Sequence, residues 1–196
     1  MNPDEPFRTI AVAGAFLLFP FMLYHRIRAH VPGERIDRSQ EGRLILFTLR
    51  PVAFAFMAGL IAFMIAPATM RWAALPLPAW ARWTGVGLAV SAGLMLVWAV
   101  PALGRNLTDT VVTRRAATLV TTGPYRYVRH PFYWAVGLAL FGNALTASSW
   151  FLLITGSIVL GLLILRTPTE EAKLIEKFGE DYRSYMQRTG RFFPRF

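Results

Sequence analysis

The sequence contains no cysteine and comparatively few charged residues. Without thiols the chain forms neither disulfides nor thiolate zinc sites, and it has no cysteine nucleophile. Charged residues make up only 16% of the chain and hydrophobic residues 55%, whereas about a quarter of an ordinary soluble domain is charged. These proportions indicate that lipid, and not water, surrounds much of the protein.

Acidic residues are scarce as well, which leaves a net charge of +10. A basic balance of this size can indicate nucleic-acid binding, but here the basic residues occupy short connections between hydrophobic runs, and no basic soluble helix carries them. Membrane topology and anionic lipid head groups explain the charge better. His25 and His30 have too few ligand-type neighbours in the sequence to suggest metal binding, so no metal site is predicted.

Five hydrophobic runs predict helices that cross a hydrocarbon layer of roughly 30 Å. They cover residues 9–24, 44–66, 80–103, 132–147 and 149–165. The first run has no small-residue cleavage site after it and is interpreted as a retained span. The sequence therefore predicts an all-α integral membrane protein, with five transmembrane helices and a cytoplasmic C-terminal amphipathic helix. We divide it into a three-span region, residues 1–103, and a C-terminal module, residues 104–196, within one compact membrane unit.

The distribution of Arg and Lys predicts the orientation of these spans. Residues 25–43 and 104–130 carry five each and residues 166–196 carry seven, whereas the N-terminal tail has only Arg8 and the 67–83 connection only two. Because basic loops stay on the cytoplasmic side, the N-terminus is expected outside and the C-terminus in the cytoplasm. Both long basic loops and the tail then share one face of the membrane.

The last two runs and the tail carry clear local signals. Only Ala147 and Ser148 separate the runs, which predicts a tight antiparallel hairpin. After the hairpin, Thr167, Pro168 and Glu170 form a capping-box pattern that predicts the start of a new, amphipathic helix. Its apolar positions are Leu174, Phe178, Tyr182 and Tyr185. Gly179 interrupts the pattern and is expected to divide the tail into two helices.

Two polar clusters flank the hairpin, residues 123–133 before it and residues 166–171 after it. A hairpin brings its two ends together. The expected neighbours are Arg129, His130 and Tyr133 on one side, and Arg166, Glu170 and Glu171 on the other. Ionisable groups at this depth are costly unless they are paired or functional, so the clusters predict a site at the cytoplasmic mouth of the hairpin.

The same clusters carry a family resemblance. The string LVTTGPYRYVRHPFY, residues 119–133, is followed across the hairpin by Glu170-Glu171-x-x-Leu-x-x-x-Phe-Gly-x-x-Tyr-x-x-Tyr and then Arg-Phe-Phe-Pro at residues 191–194. This pair of motifs resembles the isoprenylcysteine carboxyl methyltransferase family. The related phospholipid N-methyltransferases share a similar Arg-His-Pro-x-Tyr and Glu-Glu pair. The resemblance covers about residues 103–196, whereas the first hundred residues match only as generic spans.

The resemblance implies that S-adenosylmethionine binds at the cytoplasmic end of the hairpin, and that a lipid-like or prenylated substrate enters laterally from the bilayer. The residues it assigns to the cofactor are Gly123, Tyr125, His130, Pro131, Tyr133, Glu170 and Glu171. Arg129 and Glu171 are the predicted catalytic residues, with Arg129 positioning a substrate carboxylate through its planar fork of donors. No glycine-rich dinucleotide fingerprint follows a strand, so the soluble methyltransferase fold is not expected.

Each of these residues also has a structural interpretation that the sequence leaves open. Glu170 can be only the capping-box partner of Thr167, and His130 can cap the first hairpin helix. Arg129 can be a topology-setting charge. Tyr182 and Tyr185 fit core packing of the tail better than catalysis.

Other function classes stay open at this stage. N-methylation of an aminophospholipid requires a neutral amine and a path for its proton. A membrane sterol reductase that uses a reduced nicotinamide resembles the C-terminal fold, but such proteins are usually longer. A membrane scaffold without activity would leave the polar clusters unexplained. Oxygen methylation of an isoprenylcysteine-like carboxylate fits the motifs best.

Overall fold

The structure is a computed structural model that describes residues 4–30, 43–107 and 118–195. Within these ranges the chain forms six α-helices and no β-strand. They are α1 (Glu5–Ala29), α2 (Arg43–Ile65), α3 (Ala79–Leu103), α4 (Pro131–Thr146), α5 (Trp150–Phe178) and α6 (Glu180–Arg188). Short 3₁₀ helices at Pro67–Ala73, Gly104–Asn106 and Gly123–Arg126 complete the connections.

The helices confirm an all-α, multi-pass membrane protein. Among the described residues, four segments are long and apolar enough to cross a membrane: α1, Phe47–Ile65 of α2, α3 and α5. α4 has 16 residues, a length of roughly 24 Å, which is shorter than the hydrocarbon layer. The fifth span therefore remains a prediction. Of the basic loop residues that predict the orientation, Arg35, Arg38, Arg114 and Arg115 lie outside the described residues.

α4 is the central helix, packed against α3 on one side and α5 on the other. Glycines allow α3 and α4 to come very close: a Cβ on Gly85 would lie 2.7 Å from the Gly142 carbonyl oxygen, and a Cβ on Gly142 would lie 2.6 Å from the Ala89 amide nitrogen. The main hydrophobic core joins α2, α4 and α5. Its buried members are Phe56, Leu60, Leu140, Ala144, Leu152 and Val159. This packing fixes the position of α4 relative to α2, α3 and α5.

The hairpin between α4 and α5 is as tight as predicted. Ser148 adopts a left-handed conformation with φ of 53°, and Ser149 precedes α5 with its hydroxyl accepting a hydrogen bond from the Leu152 amide at 3.4 Å. The Ser148 hydroxyl donates to the carbonyl of Leu75 at 2.6 Å. The hairpin tip therefore lies against the connection between α2 and α3.

The tail corrects one prediction. α5 continues without interruption from Trp150 to Phe178, so Thr167 and Pro168 lie inside the helix and do not begin a new one. The Thr167 hydroxyl donates to the Leu163 carbonyl one turn earlier, at 3.1 Å, and the predicted capping box is wrong. Proline is tolerated in such helices when tertiary packing compensates for the lost backbone hydrogen bond. The break predicted at Gly179 is confirmed, with φ of 54° between α5 and α6.

Candidate active site

A buried carboxylate, that of Glu171 in α5, forms the centre of the polar cluster. Arg129 donates from Nε to its Oε1 at 2.8 Å, and His130 Nε2 lies 3.3 Å from the same oxygen. Arg191 donates to Oε2 from Nε at 3.0 Å and from Nη2 at 2.5 Å. Only 3% of Glu171 is exposed, and hydrogen bonds to charged donors are the strong ones in such surroundings. Glu171 thus joins α5 to the start of α4 and to the residues after α6.

Backbone pairing fixes the two arginines on either side of Glu171. The amide of Arg129 donates to the carbonyl of Gly190 at 2.9 Å, and the amide of His130 donates to the carbonyl of Arg191 at 3.1 Å. Val128 and Gly190 form a parallel β-bridge beside these bonds. Residues 189–193, which we name the closing segment, therefore lie along the approach to α4. Pro131 then begins α4 at a position where its missing amide hydrogen is not needed.

The guanidinium of Arg129 also binds the end of α6. Its Nη1 donates to the carbonyl of Met186 at 3.3 Å and to the carbonyl of Thr189. These are carbonyls at the C-terminal end of α6, where a helix leaves acceptors unsatisfied. Arg129 is therefore more than a topology-setting charge.

Glu170 has a different set of partners from Glu171. The Tyr133 hydroxyl donates to Glu170 Oε2 at 2.6 Å, and Arg166 Nη2 donates to the Tyr133 hydroxyl at 3.3 Å. The alternative role of Glu170 as a capping residue is not observed, because α5 has no new start at Thr167. His130 likewise makes no side-chain cap for α4, and its ring faces Glu171.

Gly123 and Tyr125 belong to the short 3₁₀ helix that precedes α4 in the chain. Gly123 has φ of 60°, and a Cβ there would lie 3.2 Å from the Ala102 Cβ of α3, so glycine suits both the conformation and the space. The hydroxyl of Tyr185 in α6 donates to the backbone carbonyl of Tyr125 at 2.5 Å. This bond joins α6 to the 3₁₀ helix Gly123–Arg126.

Two buried hydroxyls in the site have no hydrogen-bond partner among the described residues, those of Tyr125 and Tyr182. Burial raises the pKa of both phenols, and the nearby Glu170 carboxylate raises the pKa of Tyr125 further. Both hydroxyls are therefore neutral donors at physiological pH. Buried donors without an acceptor are rare in folded proteins, so this pair is a candidate for hydrogen bonds to a ligand with acceptor atoms.

Aromatic rings cover the site from the side of the closing segment. The Phe192 ring stacks on Tyr133 with 6.4 Å between centroids, and it lies 5.8 Å from the His130 ring. The Trp134 indole holds this segment by donating to the Phe192 carbonyl at 2.6 Å.

The structure brings the predicted residues together at one end of the hairpin, and their individual functions remain predictions. Sequence reasoning omitted three residues from the site: Arg191, Phe192 and Tyr182. Arg191 and Phe192 belong to the short Arg-Phe-Phe-Pro motif after the tail, which was a usable signal. Tyr182 was assigned to core packing, and it is indeed buried, but its hydroxyl is one of the two without a partner. No group of His, Asp or Glu suited to a metal occurs among the described residues.

Comparison with known proteins agrees with this geometry. Residues 85–176 match the profile of the isoprenylcysteine carboxyl methyltransferase family. This stretch begins in α3 and ends in α5, so it includes both Arg129–His130 and Glu170–Glu171. The human protein-S-isoprenylcysteine O-methyltransferase is 30% identical over 125 residues, which are 60% of this chain and 42% of the human protein. The match thus spans less than half of that relative. The segment that carries both motifs, a little under half of the chain, is therefore similar to the isoprenylcysteine carboxyl methyltransferase family.

Proposed function

We propose that the protein is an S-adenosylmethionine-dependent methyltransferase that methylates the carboxylate of an isoprenylcysteine-like amphiphile. The observation that carries this proposal is the meeting of both family motifs at Glu170 and Glu171, at one end of the α4–α5 hairpin. We place the catalytic module in residues 104–196, with α3 packed behind Gly123. The family supports a methyl donor as the cofactor and a prenylated molecule as the substrate.

The residues of the site fit S-adenosylmethionine chemically. The orphaned hydroxyls of Tyr125 and Tyr182 offer donors for the nitrogen and oxygen acceptors of the cofactor. Glu170 offers carboxylate oxygens for its hydroxyl or ammonium donors. The rings of His130, Tyr133 and Phe192 supply an aromatic wall. Gly123 and Pro131 fix the backbone conformation beside these side chains.

The chain's contribution to the reaction is orientation. When bound, the cofactor supplies a sulfonium methyl group, an electrophile that a carboxylate attacks without help from a general base. Arg129 is the residue that we propose holds the acceptor carboxylate. Its Nε and Nη1 are engaged with Glu171 and with the end of α6, and none of the described hydrogen bonds uses Nη2. Glu171 therefore fixes the guanidinium so that Nη2 points to one place, which is the positioning that such transfers need.

The membrane arrangement follows from the charge distribution. We propose that the site faces the cytoplasm, that the N-terminus lies outside, and that the apolar part of the substrate stays in the bilayer while its carboxylate reaches Arg129. A water-poor site at the membrane surface also strengthens the ion pairs around Glu171.

The test is methyl transfer by the purified protein. Labelled S-adenosylmethionine is incubated with the protein and either an S-farnesylcysteine whose amine is blocked or phosphatidylethanolamine. We expect label in a base-labile methyl ester of the farnesylcysteine. Label only in the aminophospholipid would contradict the proposed substrate. Thermal stabilisation by a nicotinamide nucleotide and not by S-adenosylmethionine would contradict the proposed cofactor.

Arg129→Lys tests the assigned orienting residue in the same assay. Lysine keeps the charge but loses the planar donor geometry, so we expect turnover to fall about tenfold or more while S-adenosylmethionine still raises the melting temperature. Arg188→Lys is the control, because Arg188 lies on α6 and bonds only locally to the Ser184 carbonyl. Unchanged turnover in Arg129→Lys would remove Arg129 from the proposed role.

A further inference from the structure

A cleft on the α6 side of the site carries an unusual concentration of positive charge. Its volume is about 540 Å³, and its lining includes four arginines, Arg129, Arg183, Arg191 and Arg195. None of the described residues that line it is acidic. We propose that this cleft binds a phosphate-bearing anion through its exposed arginines, Arg183 and Arg195, which the proposed methyl transfer does not use, while Arg129 forms part of its inner wall.

The arginines of the cleft differ in how firmly they are already held. Arg129 is buried and fixed by Glu171 and the end of α6. Arg191 contacts Glu171 from one side, but its side chain is 42% exposed. Arg183 pairs with Glu180 at 2.7 Å on the surface, where both side chains are mostly exposed, and such pairs contribute little. Arg183 can therefore turn to a stronger anion without loss of a buried contact, whereas Arg191 stays bound to Glu171.

The end of α6 would normally repel an anion, because helix C-termini carry partial negative charge. Here Arg129 Nη1 donates to the carbonyls of Met186 and Thr189, two of the acceptors at this end that also line the cleft. These two bonds reduce the repulsion between the end of α6 and an anion in the cleft.

The size and walls of the cleft indicate the class of ligand. Its volume falls in the range of small-molecule sites and exceeds the need of a single phosphate. Ile175 and Met186 add apolar surface beside the arginines. A guanidinium group donates two parallel hydrogen bonds to two oxygens of one phosphate. A phosphate with an attached organic part, either a soluble compound or an anionic phospholipid head group, has the matching chemistry.

The proposal is tested by binding of pyrophosphate to the full chain in a non-ionic detergent, measured by calorimetry. We expect saturable binding that weakens as salt is added. Arg183→Gln with Arg195→Gln should weaken this binding about tenfold. Arg188→Gln is the matched control, since it removes the same charge from α6 outside the cleft and should leave the affinity within about twofold. Absence of saturable binding by the wild type, or an equal loss in Arg188→Gln, would overturn the proposal.

The source of the phosphate is distinguished in a second arm. Native mass spectrometry is carried out after addition of phosphatidylglycerol or phosphatidylcholine. A phosphatidylglycerol adduct that the double variant loses and Arg188→Gln keeps assigns the cleft to lipid head groups. Pyrophosphate binding without such an adduct assigns it to soluble anions. Melting temperatures and methyl transfer of the double variant should equal those of the wild type, and if the double variant unfolds, Arg195→Gln alone replaces it.

Discussion

The single carboxylate of Glu171 contacts the side chains of Arg129, His130 and Arg191, which come from two parts of the chain. An uncompensated charge in such a buried position is costly, and removal of one partner of a buried pair typically destabilises a protein by about 3–5 kcal/mol. The residue therefore holds the site together in addition to any contact with a ligand. The effect of Glu171 on stability and its effect on ligand binding can both be measured on one variant.

Glu171→Gln should lower the free energy of unfolding by about 3 kcal/mol and weaken S-adenosylmethionine binding, because Arg129 loses its anionic partner while remaining buried. Thermal unfolding in detergent, with and without the cofactor, measures both effects. Glu176→Gln is the control: Glu176 lies on the same helix in an exposed pair with Lys173, and its loss should change stability by less than about 0.5 kcal/mol. A Glu171→Gln protein as stable as the wild type would show that the cluster is not electrostatically coupled.

The unpartnered tyrosines give a prediction in which stability and binding change in opposite directions. Tyr182→Phe removes a buried hydroxyl with no described partner, so the ligand-free protein should keep or slightly gain stability. If that hydroxyl donates to the cofactor, stabilisation by S-adenosylmethionine should shrink. Tyr185→Phe is the counterpart, because its hydroxyl holds the Tyr125 carbonyl and its loss should cost about 1 kcal/mol in the ligand-free protein. Equal stabilisation of Tyr182→Phe and wild type by the cofactor would exclude Tyr182 from its binding.

The sequence was sufficient to predict which residues meet at the hairpin mouth, because a short turn between two helices brings their outer ends together whatever else the chain does. Arg129, His130 and Tyr133 do lie beside Arg166, Glu170 and Glu171. Arg191 was missed for a physical reason. Its place depends on backbone pairing between residues 128–130 and the closing segment, and such pairing between short irregular segments leaves no periodicity in the sequence.

At the scale of the helices, hydropathy predicted α1 to α4 to within a few residues of their observed bounds, since lipid burial requires continuous apolar runs. The last hydrophobic run was predicted to end at residue 165, thirteen residues before the observed end of α5 at Phe178. Local rules favour a helix start at Thr167, but Thr167 is fully buried and Glu170 meets Tyr133 of α4. Tertiary contacts of this kind outweigh a capping preference of about 1 kcal/mol.

The close approach of α3 and α4 makes a prediction about packing. Gly142→Ala should destabilise the protein, because its Cβ would meet backbone atoms of Ala89 and Gly85 that cannot rotate away. We expect a loss of about 1–3 kcal/mol, the usual cost of overpacking. Gly87→Ala is the control, since nothing lies within 4 Å of a Cβ at that position, and it should be neutral or stabilising through higher helix propensity. Equal melting temperatures of the two variants would show that α3 and α4 are less closely packed than described.

At the scale of the whole molecule, the two ends of the helices are held by different sets of contacts. The site lies at one end, and the hairpin tip lies at the other, where Ser148 contacts Leu75. At that second end Arg82 of α3 binds the Thr146 carbonyl at the end of α4 and the Asp4 carboxylate at the start of α1. One end therefore carries the candidate site, and the other is held together by the contacts of Arg82.

Topology reporters test the orientation of these two ends. Fusions after residues 35, 110 and 196 should report the cytoplasm, and an insertion near residue 74 should report the exterior, because Arg and Lys are concentrated in the loops on the site's side. Protease accessibility in sealed vesicles checks the same assignment independently. A cytoplasmic signal near residue 74 would contradict both the span number and the placement of the site.

The closing segment has a consequence for how the protein is made. Residues 189–193 follow every described helix along the chain. They nevertheless supply Arg191 and Phe192 to the site, and the Trp134 indole holds them there by donating to the Phe192 carbonyl. During translation this segment is synthesised after all six described helices. Until then Glu171 lacks one of its cations and α4 lacks its backbone partner. The candidate site therefore becomes complete only when residues 189–193 dock beside Arg129 and His130.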